Sequence, residues 1–452
     1  MKKVVNPLFT LLLIFLLCQC FAQEWQIIEH SDFSDSVFTS KADFSEAQFD
    51  SIATFSWVKF ESKAKFVRAQ FGSKADFSYA RFDSIAHFSG VQFGSVANFV
   101  RAKFGSEAFF TDAQFDSKAY FWGVQFSSYA GFLAVQFNSS AIFRKAQFGS
   151  KADFMFTKFG AVADFMLAKF GSIAIFRMAQ FGSVADFWWA QFDSLANFKY
   201  AQFGAEINFM EATLPKYLDL SGVSLIANQL DLTTTKINPN YDTCYINLTG
   251  AAIDKIRFRY KRFTLWFPEE DSIEYELKAN VYEELLKKQM DEGFTQSYEL
   301  LDKEYREFQY IDPDCDYGYV QGHLMNWIDK TWWGYGYDKE LILRNVLVIY
   351  LVLSLFNTFM LKHLTENVYK AEKINEWRNE TQDIKFGRLF KSIPFSMFYT
   401  AQIFFGVKFY TDRLQYKQNL QGWRIFNLLY FFFIYLGGLV CLAYLANYII
   451  TV

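Results

Sequence analysis

Between Phe33 and Leu214 apolar residues recur with a period of 11. Phe stands at Phe33, Phe44, Phe55, Phe66 and every eleventh position through Phe209. A second series runs from Phe38 and Phe49 to Phe203, and Leu214 closes it. Ala precedes the first series by two residues, from Ala42 to Ala196, and a small residue such as Ala47, Val58, Ala69 or Ala80 precedes the second. The unit is A-x-F-x-x-A-x-F-x-S-x. Eleven residues also make three helical turns. On a helix, however, the four apolar positions of the unit would scatter around the whole circumference instead of lining one face. As short strands the pattern is simple: residues two apart share a side. The chain must then turn a corner after five or six residues. If four faces make a coil, two units close it, and Phe33–Leu214 holds about eight coils. At roughly 4.8 Å per coil the rod is about 40 Å long. The small residue beside each Phe leaves room for the ring. Weaker matches at Leu218-Asp-Leu220 and Ile246-Asn-Leu248 extend degenerate coils over 215–268.

The pattern then becomes helical. Ile273, Leu277, Val281, Leu285 and Leu286 recur at helical spacing in Ser272–Gln289, Gly293 breaks the run, and Thr295–Gln309 resumes it. This hairpin resembles one tetratricopeptide-like helix pair and is expected to cap the open end of the rod, within a segment 269–340 that leads to a membrane. Leu341–Leu361 contains one charge, and Ile425–Val452 contains none. Each is long enough to cross about 30 Å of hydrocarbon, which predicts transmembrane helices over 341–361 and 425–448. A shorter uncharged run over 392–407 is re-entrant, interfacial or a buried helix. Trp327, Trp332, Trp333, Tyr335 and Tyr337 precede the first span and suit a headgroup layer. The charged loop 362–391 has the basic bias of a cytoplasmic segment.

At the other end, Met-Lys-Lys precedes an apolar stretch and small residues, which reads as a secretory signal peptide over 1–22. The alternative is an uncleaved anchor, and either leaves the next segment exported. Gln19 and Leu17 stand where a lipoprotein signal needs small residues.

Composition narrows the function. The chain has 56 Phe among 452 residues, a net charge of -3, and only 4 His and 5 Cys. The rod from Phe33 to Leu214 carries 17 Lys/Arg and 16 Asp/Glu. That balance speaks against nucleic-acid mimicry and against nucleic-acid binding. No metal spacing, phosphate loop or nucleophile elbow is present, so no catalytic residue, cofactor, metal or small-molecule substrate is expected. Asp43, Asp76, Asp153, Asp164 and Asp186 are read as corner caps. Trp57, Trp122, Trp188 and Trp189 are candidates for a partner-binding face, or they pack between coils. Cys244 and Cys315 could form a disulfide or remain free buried thiols.

The runs Ala75-Asp-Phe77-Ser-Tyr79-Ala80-Arg-Phe82 and Ala185-Asp-Phe187-Trp-Trp-Ala190-Gln-Phe192 resemble the pentapeptide-repeat family, whose unit is A-(D/N)-L/F-x-x. The resemblance implies a right-handed quadrilateral β-helix of Phe-centred 5+6-residue repeats over 30–214. The sixth residue in alternate units departs from the family pattern. The order of span, loop, short apolar run and long span resembles a degenerate two-span pore domain of potassium-type channels. In that likeness Phe404, Phe405, Gly406 and Val407 hold the filter position, where Lys408 is foreign to a cation filter.

The expected protein is therefore mainly β, with a helical hairpin and a small helical membrane domain after the rod. Its expected role is non-enzymatic: a scaffold or interaction protein of the bacterial inner membrane with a periplasmic rod. Its partners would be the lipid bilayer and an envelope protein or a second copy. The alternative is an ion channel or channel-like sensor.

Overall fold

The computed structural model describes residues 26–27, 31–226, 229–269, 273–367, 369–370, 385–406, 415–416 and 424–451. The expected signal peptide and half of the charged loop lie outside these residues, as does Val407. The chain divides into two compact units, Met1–Asp302 and Lys303–Val452.

The first unit is a parallel β-solenoid of about ten coils. Four sheets run along it, with strands of two to four residues paired in parallel to those one coil before and after. Face I begins at Ala42–Asp43, face II at Ala47–Phe49, face III at Ala53–Thr54 and face IV at Lys59–Phe60. Ala53 pairs with Ala75 and Phe60 with Phe82, so two repeat units close one coil. Each face turns its small residue and its Phe inward, and the rings of these two Phe series from Phe49 to Phe203 are essentially inaccessible, while Phe109 and Phe156 lie outside the ladder. Phe99 stacks on Phe121 at 4.9 Å and 1°, and Phe121 on Phe143 at 4.6 Å and 4°. Across the lumen, Phe99 meets Phe110 edge-on at 5.5 Å and 87°. Both geometries suit the ring quadrupole. Thr157 occupies a small-residue site and donates its hydroxyl to the Phe132 carbonyl at 2.6 Å, which satisfies a buried polar group.

The two kinds of corner differ. Five-residue faces I and III end in tight turns: the N–H of Ala80 bonds the carbonyl of Phe77 at 3.1 Å, and the third turn residue, Tyr79, has φ 59°. A type II turn needs such a residue. The sixth residue widens the corners after faces II and IV, where Gly and Ser gather. There the coils approach closely, and a Cβ on Gly204 would collide with the Gly182 carbonyl. The Asp residues read as corner caps hold that role. Asp43, Asp76, Asp153, Asp164 and Asp186 each accept the N–H two residues on, between 3.0 and 3.2 Å.

The degenerate coils continue through Cys244–Asn247 to Phe263–Leu265. Helix α1 (Tyr275–Asp291) then covers the end of the stack. Its buried Gln289 donates to the Phe258 carbonyl at 3.0 Å and accepts from the Tyr260 N–H at 3.4 Å. Lys255 bonds the Leu225 carbonyl at 2.7 Å, and the Arg262 guanidinium bonds the carbonyls of Leu232, Thr233 and Thr235. Long cationic side chains thus satisfy backbone acceptors that the irregular last coils leave without a strand partner. Helix α2 (Thr295–Ile311) completes the expected hairpin, with Gly293 at φ 72° between the two helices.

Helix α3 (Tyr319–Trp332) is not signalled by apolar periodicity. Its buried positions are Gly322 and Asn326, while Tyr319, Val320 and Trp327 are exposed. It packs by close backbone approach: a Cβ on Gly322 would collide with the Tyr310 carbonyl. Trp333 and Tyr335 are held by hydrogen bonds to Asp329 and Asn326 rather than standing free as headgroup anchors.

Three helices complete the second unit: α4 (Glu340–Asn367), α5 (Lys385–Phe404) and α6 (Arg424–Thr451). Two stretches, Glu340–Leu361 in α4 and Leu429–Ala446 in α6, are long and apolar enough to cross a membrane. The short apolar run belongs to the longer helix α5, whose buried Tyr399, Ile403 and Phe404 form one core with Ile342, Val346, Leu361, Leu364, Ile434 and Cys441.

Candidate interaction edge

The four Trp candidates come together on one edge of the rod, the corner between faces III and IV. Trp57 and Trp189 share one vertical column, and Trp122 and Trp188 share the next. Trp57 and Trp189 are six coils apart and Trp122 and Trp188 three, so this signal was present in the sequence once the coil length was known. In the outer column Trp57, Tyr79, Arg101, Lys145, Leu167 and Trp189 all have φ between 56° and 62°. A left-handed backbone disfavours L residues by about 1–2 kcal/mol each relative to the right-handed region. The corner therefore sets bulky side chains outward at positions where Gly would be easier.

Those side chains form a ladder. Trp57 stacks on Tyr79 at 4.2 Å and 2°. The Arg101 guanidinium lies 5.8 Å from the Tyr79 ring and 4.8 Å from the Trp122 ring. Farther along, Trp188 meets Trp189 edge-on at 6.4 Å, and Lys236 sits 4.6 Å over Trp189. Packing between coils and exposure therefore coexist: Trp57 stays 59% exposed and Trp189 41%. Trp122 and Trp188 are half-buried, and the Trp188 indole N–H has no hydrogen-bond partner.

The even charge count hides a segregation. From Trp57 to Trp189 this corner and the outward positions of face IV carry Lys59, Arg81, Arg101, Lys103, Arg144, Lys145 and Lys169, and no carboxylate. Lys59 and Arg81 pair with Glu61 and Asp83 on the neighbouring corner, and Arg144 pairs with Asp164 at 3.0 Å. Arg101, Lys103, Lys145 and Lys169 have no carboxylate partner among the described residues. The outward positions of face II instead run Gln48, Gln70, Gln92, Gln114 and Gln136, a neutral ladder that Lys158 interrupts on the next coil.

The corner carboxylates differ in their surroundings. Lys41 beside Asp43, with Ser45, draws that carboxyl down to about 2. Burial opposes ionisation of Asp76, but Lys74 at 2.8 Å and Ser78 prevail and hold its pKa below the usual value. Asp186 occupies the same column five coils on, with Val184 where Asp76 has Lys74, and burial pushes its carboxyl up.

The other sequence candidates lie elsewhere. Cys244 and Cys315 are free thiols, so the disulfide that the compartment would permit is not formed. Cys244 is fully buried in the last coils, and burial pushes its thiol up; Cys315 lies 3.6 Å from the carbonyls of Tyr310 and Tyr317. Phe404 ends α5 with its carbonyl against α6, so close that a Cβ on Gly438 would collide with that oxygen. Phe405 packs 5.7 Å from Tyr350, and Gly406, at φ 63°, follows the helix end.

Sequence reading missed a polar row inside the three-helix unit. Asn357 of α4 donates to the Thr400 hydroxyl of α5 at 2.6 Å and accepts from the Tyr430 hydroxyl of α6. Ser392, Ser396 and Thr400 follow each other at successive turns of α5 and are all buried. The i, i+4 spacing within the short apolar run was the available signal.

No protein-family model, curated protein or solved structure matches this chain. Its architecture, a Phe-laddered parallel solenoid of about ten coils, is consistent with a pentapeptide-repeat-like β-helix.

Proposed function

We propose that this chain is a non-enzymatic, membrane-tethered scaffold of the bacterial envelope. The rod stands outside the cytoplasm and offers its aromatic and cationic edge to a partner. The observation that carries this reading is the convergence of four Trp and seven cations on one edge, at corners where outward display strains the backbone. Helices α4 and α6 supply the tether in the inner membrane. Their exposed side chains, among them Leu347, Val352 and Phe359 in α4 and Phe432, Phe433 and Leu439 in α6, suit lipid tails. The rigid Phe ladder keeps the edge straight over its length. A photo-crosslinking residue placed in turn at Lys145, Lys169, Gln70 and Gln114 tests this in living cells. Adducts at the first two sites and none at the last two are expected. Equal yields from both faces, or none, would contradict a dedicated edge.

A second reading, an ion channel or channel-like sensor, draws support from the buried row of Ser392, Ser396, Thr400, Asn357 and Tyr430. Cation flux into liposomes, abolished by Asn357→Leu, would favour it; absence of flux would leave the scaffold.

A further inference from the structure

We infer that the edge between faces III and IV binds a linear polysaccharide bearing widely spaced carboxylates. The inference rests on the display reading above and names its partner. Three features of the edge select this chemistry.

The first is charge at low density. Arg101, Lys103, Lys145 and Lys169 are exposed and have no carboxylate partner among the described residues. Arg101 and Lys103 share one coil, and Lys145 and Lys169 stand two and three coils beyond it, so the cations form two pairs about 10–15 Å apart at strand spacing. Such spacing suits a polymer with one acid every few sugar units. A nucleic acid presents a phosphate about every 3.4 Å along each strand, and its binding sites gather correspondingly more cations.

The second feature is what separates the cations. Gln125 and Gln147 stand between Lys103 and Lys169 on face IV, and Gln191 follows. Each amide both donates and accepts, as hydroxyl groups require of a partner. A surface on which amides are interspersed with cationic groups matches a chain of hydroxyls with occasional acids.

The third feature is the pair of aromatic ends. Trp57 and Trp189 are exposed at opposite ends of the strip, six coils or about 29 Å apart. Their indoles offer apolar rims against which the C–H surfaces of a sugar can rest. Trp57 is held by Tyr79 and Trp189 by Lys236, so neither ring must be ordered on binding. A ligand that is long, hydroxylated and sparsely anionic uses all three features together.

The test uses the full-length chain in a zwitterionic detergent and three probes: polygalacturonate methyl-esterified until only about every second or third carboxylate stays free, to match the cation spacing, its fully methyl-esterified form and oligo-dT of similar length. The expected order is the partly esterified polygalacturonate first, with the full ester and oligo-dT each at least tenfold weaker. The triple variant Lys103→Gln/Lys145→Gln/Lys169→Gln is expected to weaken polygalacturonate binding at least tenfold without moving the unfolding midpoint. Trp189→Ala is expected to weaken it several-fold. Oligo-dT binding as tight as polygalacturonate would overturn the inference in favour of a nucleic acid. Absence of polygalacturonate binding, or an affinity unmoved by the triple variant, would also overturn it. The display reading fails separately, on a rod that impermeant reagents cannot reach in intact cells.

Discussion

In the rod, each Phe touches a copy of itself one coil above and one coil below, so the same contact is made again and again along four columns. In the three-helix unit the described contacts between helices do not repeat: beside a mixed core, Gly438 meets one carbonyl, Asn357 ties Thr400 to Tyr430, and Tyr350 donates to the Met397 carbonyl. The first arrangement distributes stability over many equivalent contacts between neighbours. The second concentrates it, so that one residue decides whether a helix docks. The difference also separates roles. A rod with an identical interior at every coil is free to vary its outside, and the four Trp gather on one edge.

The largest test of this contrast is Phe121→Ala at the middle of the rod. A cavity among stacked rings should cost about 3–5 kcal/mol, whereas Phe33→Ala at the half-buried first coil should cost well under half of that. Chemical denaturation of both variants checks the ratio. Equal losses would break the picture of nearest-neighbour stacking. In the helical unit, Gly438→Leu forces α6 off the end of α5, and a loss of about 3 kcal/mol or more is expected. Thermal unfolding in detergent should show that loss with the β-sheet circular dichroism of the rod unchanged.

Asn357→Leu is a smaller perturbation of the same unit. It removes both interhelical hydrogen bonds of that side chain and strands the Tyr430 hydroxyl, and about 1–2 kcal/mol should be lost. The edge gives an effect of opposite sign. Leu167→Gly relieves a left-handed corner and should stabilise the rod by about 0.5–1 kcal/mol, after the added freedom of the unfolded chain is counted. Trp189→Gly relieves the same strain but loses Lys236 and Trp188, so it should gain less or lose stability. If both variants are equally stabilised, the Trp contacts contribute nothing to the fold.

The smallest effects concern Asp76 and Asp186, one column and opposite signs. The folded pKa of Asp76 is lowered, so its charge stabilises the rod above the unfolded carboxylate range and that gain fades as pH falls through the folded value. Asp76→Asn should therefore cost at most about 1 kcal/mol at pH 7, solvent screening of its exposed side included, and almost nothing near pH 2. The folded pKa of Asp186 is raised, so ionisation there opposes folding and the penalty disappears as pH falls. Asp186→Asn should be neutral or stabilising by a few tenths of a kcal/mol at pH 7, because the corner N–H of Trp188 keeps an acceptor. Denaturation midpoints at the two pH values compare the pair.

The interior of the rod was legible because its rule is local: Ala two before Phe, restated at every turn. The Asp corners were legible for the same reason. The location of the sixth residue was not, since the 5+6 alternation in sequence does not say which corner is tight and which is wide. The edge was half legible. Trp57, Trp122, Trp188 and Trp189 stood out by type, but their convergence depends on the length of the full coil, and the charge segregation vanishes in a sum of Lys, Arg, Asp and Glu. Helix α3 was hidden because it packs through Gly322 and Asn326 instead of an apolar stripe. The polar row of α5 was hidden because Ser and Thr at three successive turns read as interruptions of an apolar run, while in the structure they are its buried side.

The proposed role requires that the aromatic and cationic edge be displayed outside the cytoplasm by a two-span tether. Lys145→Cys and Arg378→Cys, each in an otherwise Cys-free full-length chain, place a thiol on the edge and one in the loop between the two spans. Labelling intact spheroplasts with a membrane-impermeant maleimide should modify the thiol at position 145 completely and leave the one at 378 untouched until the membrane is lysed. Labelling at 378 with protection at 145 would put the rod in the cytoplasm and contradict the account.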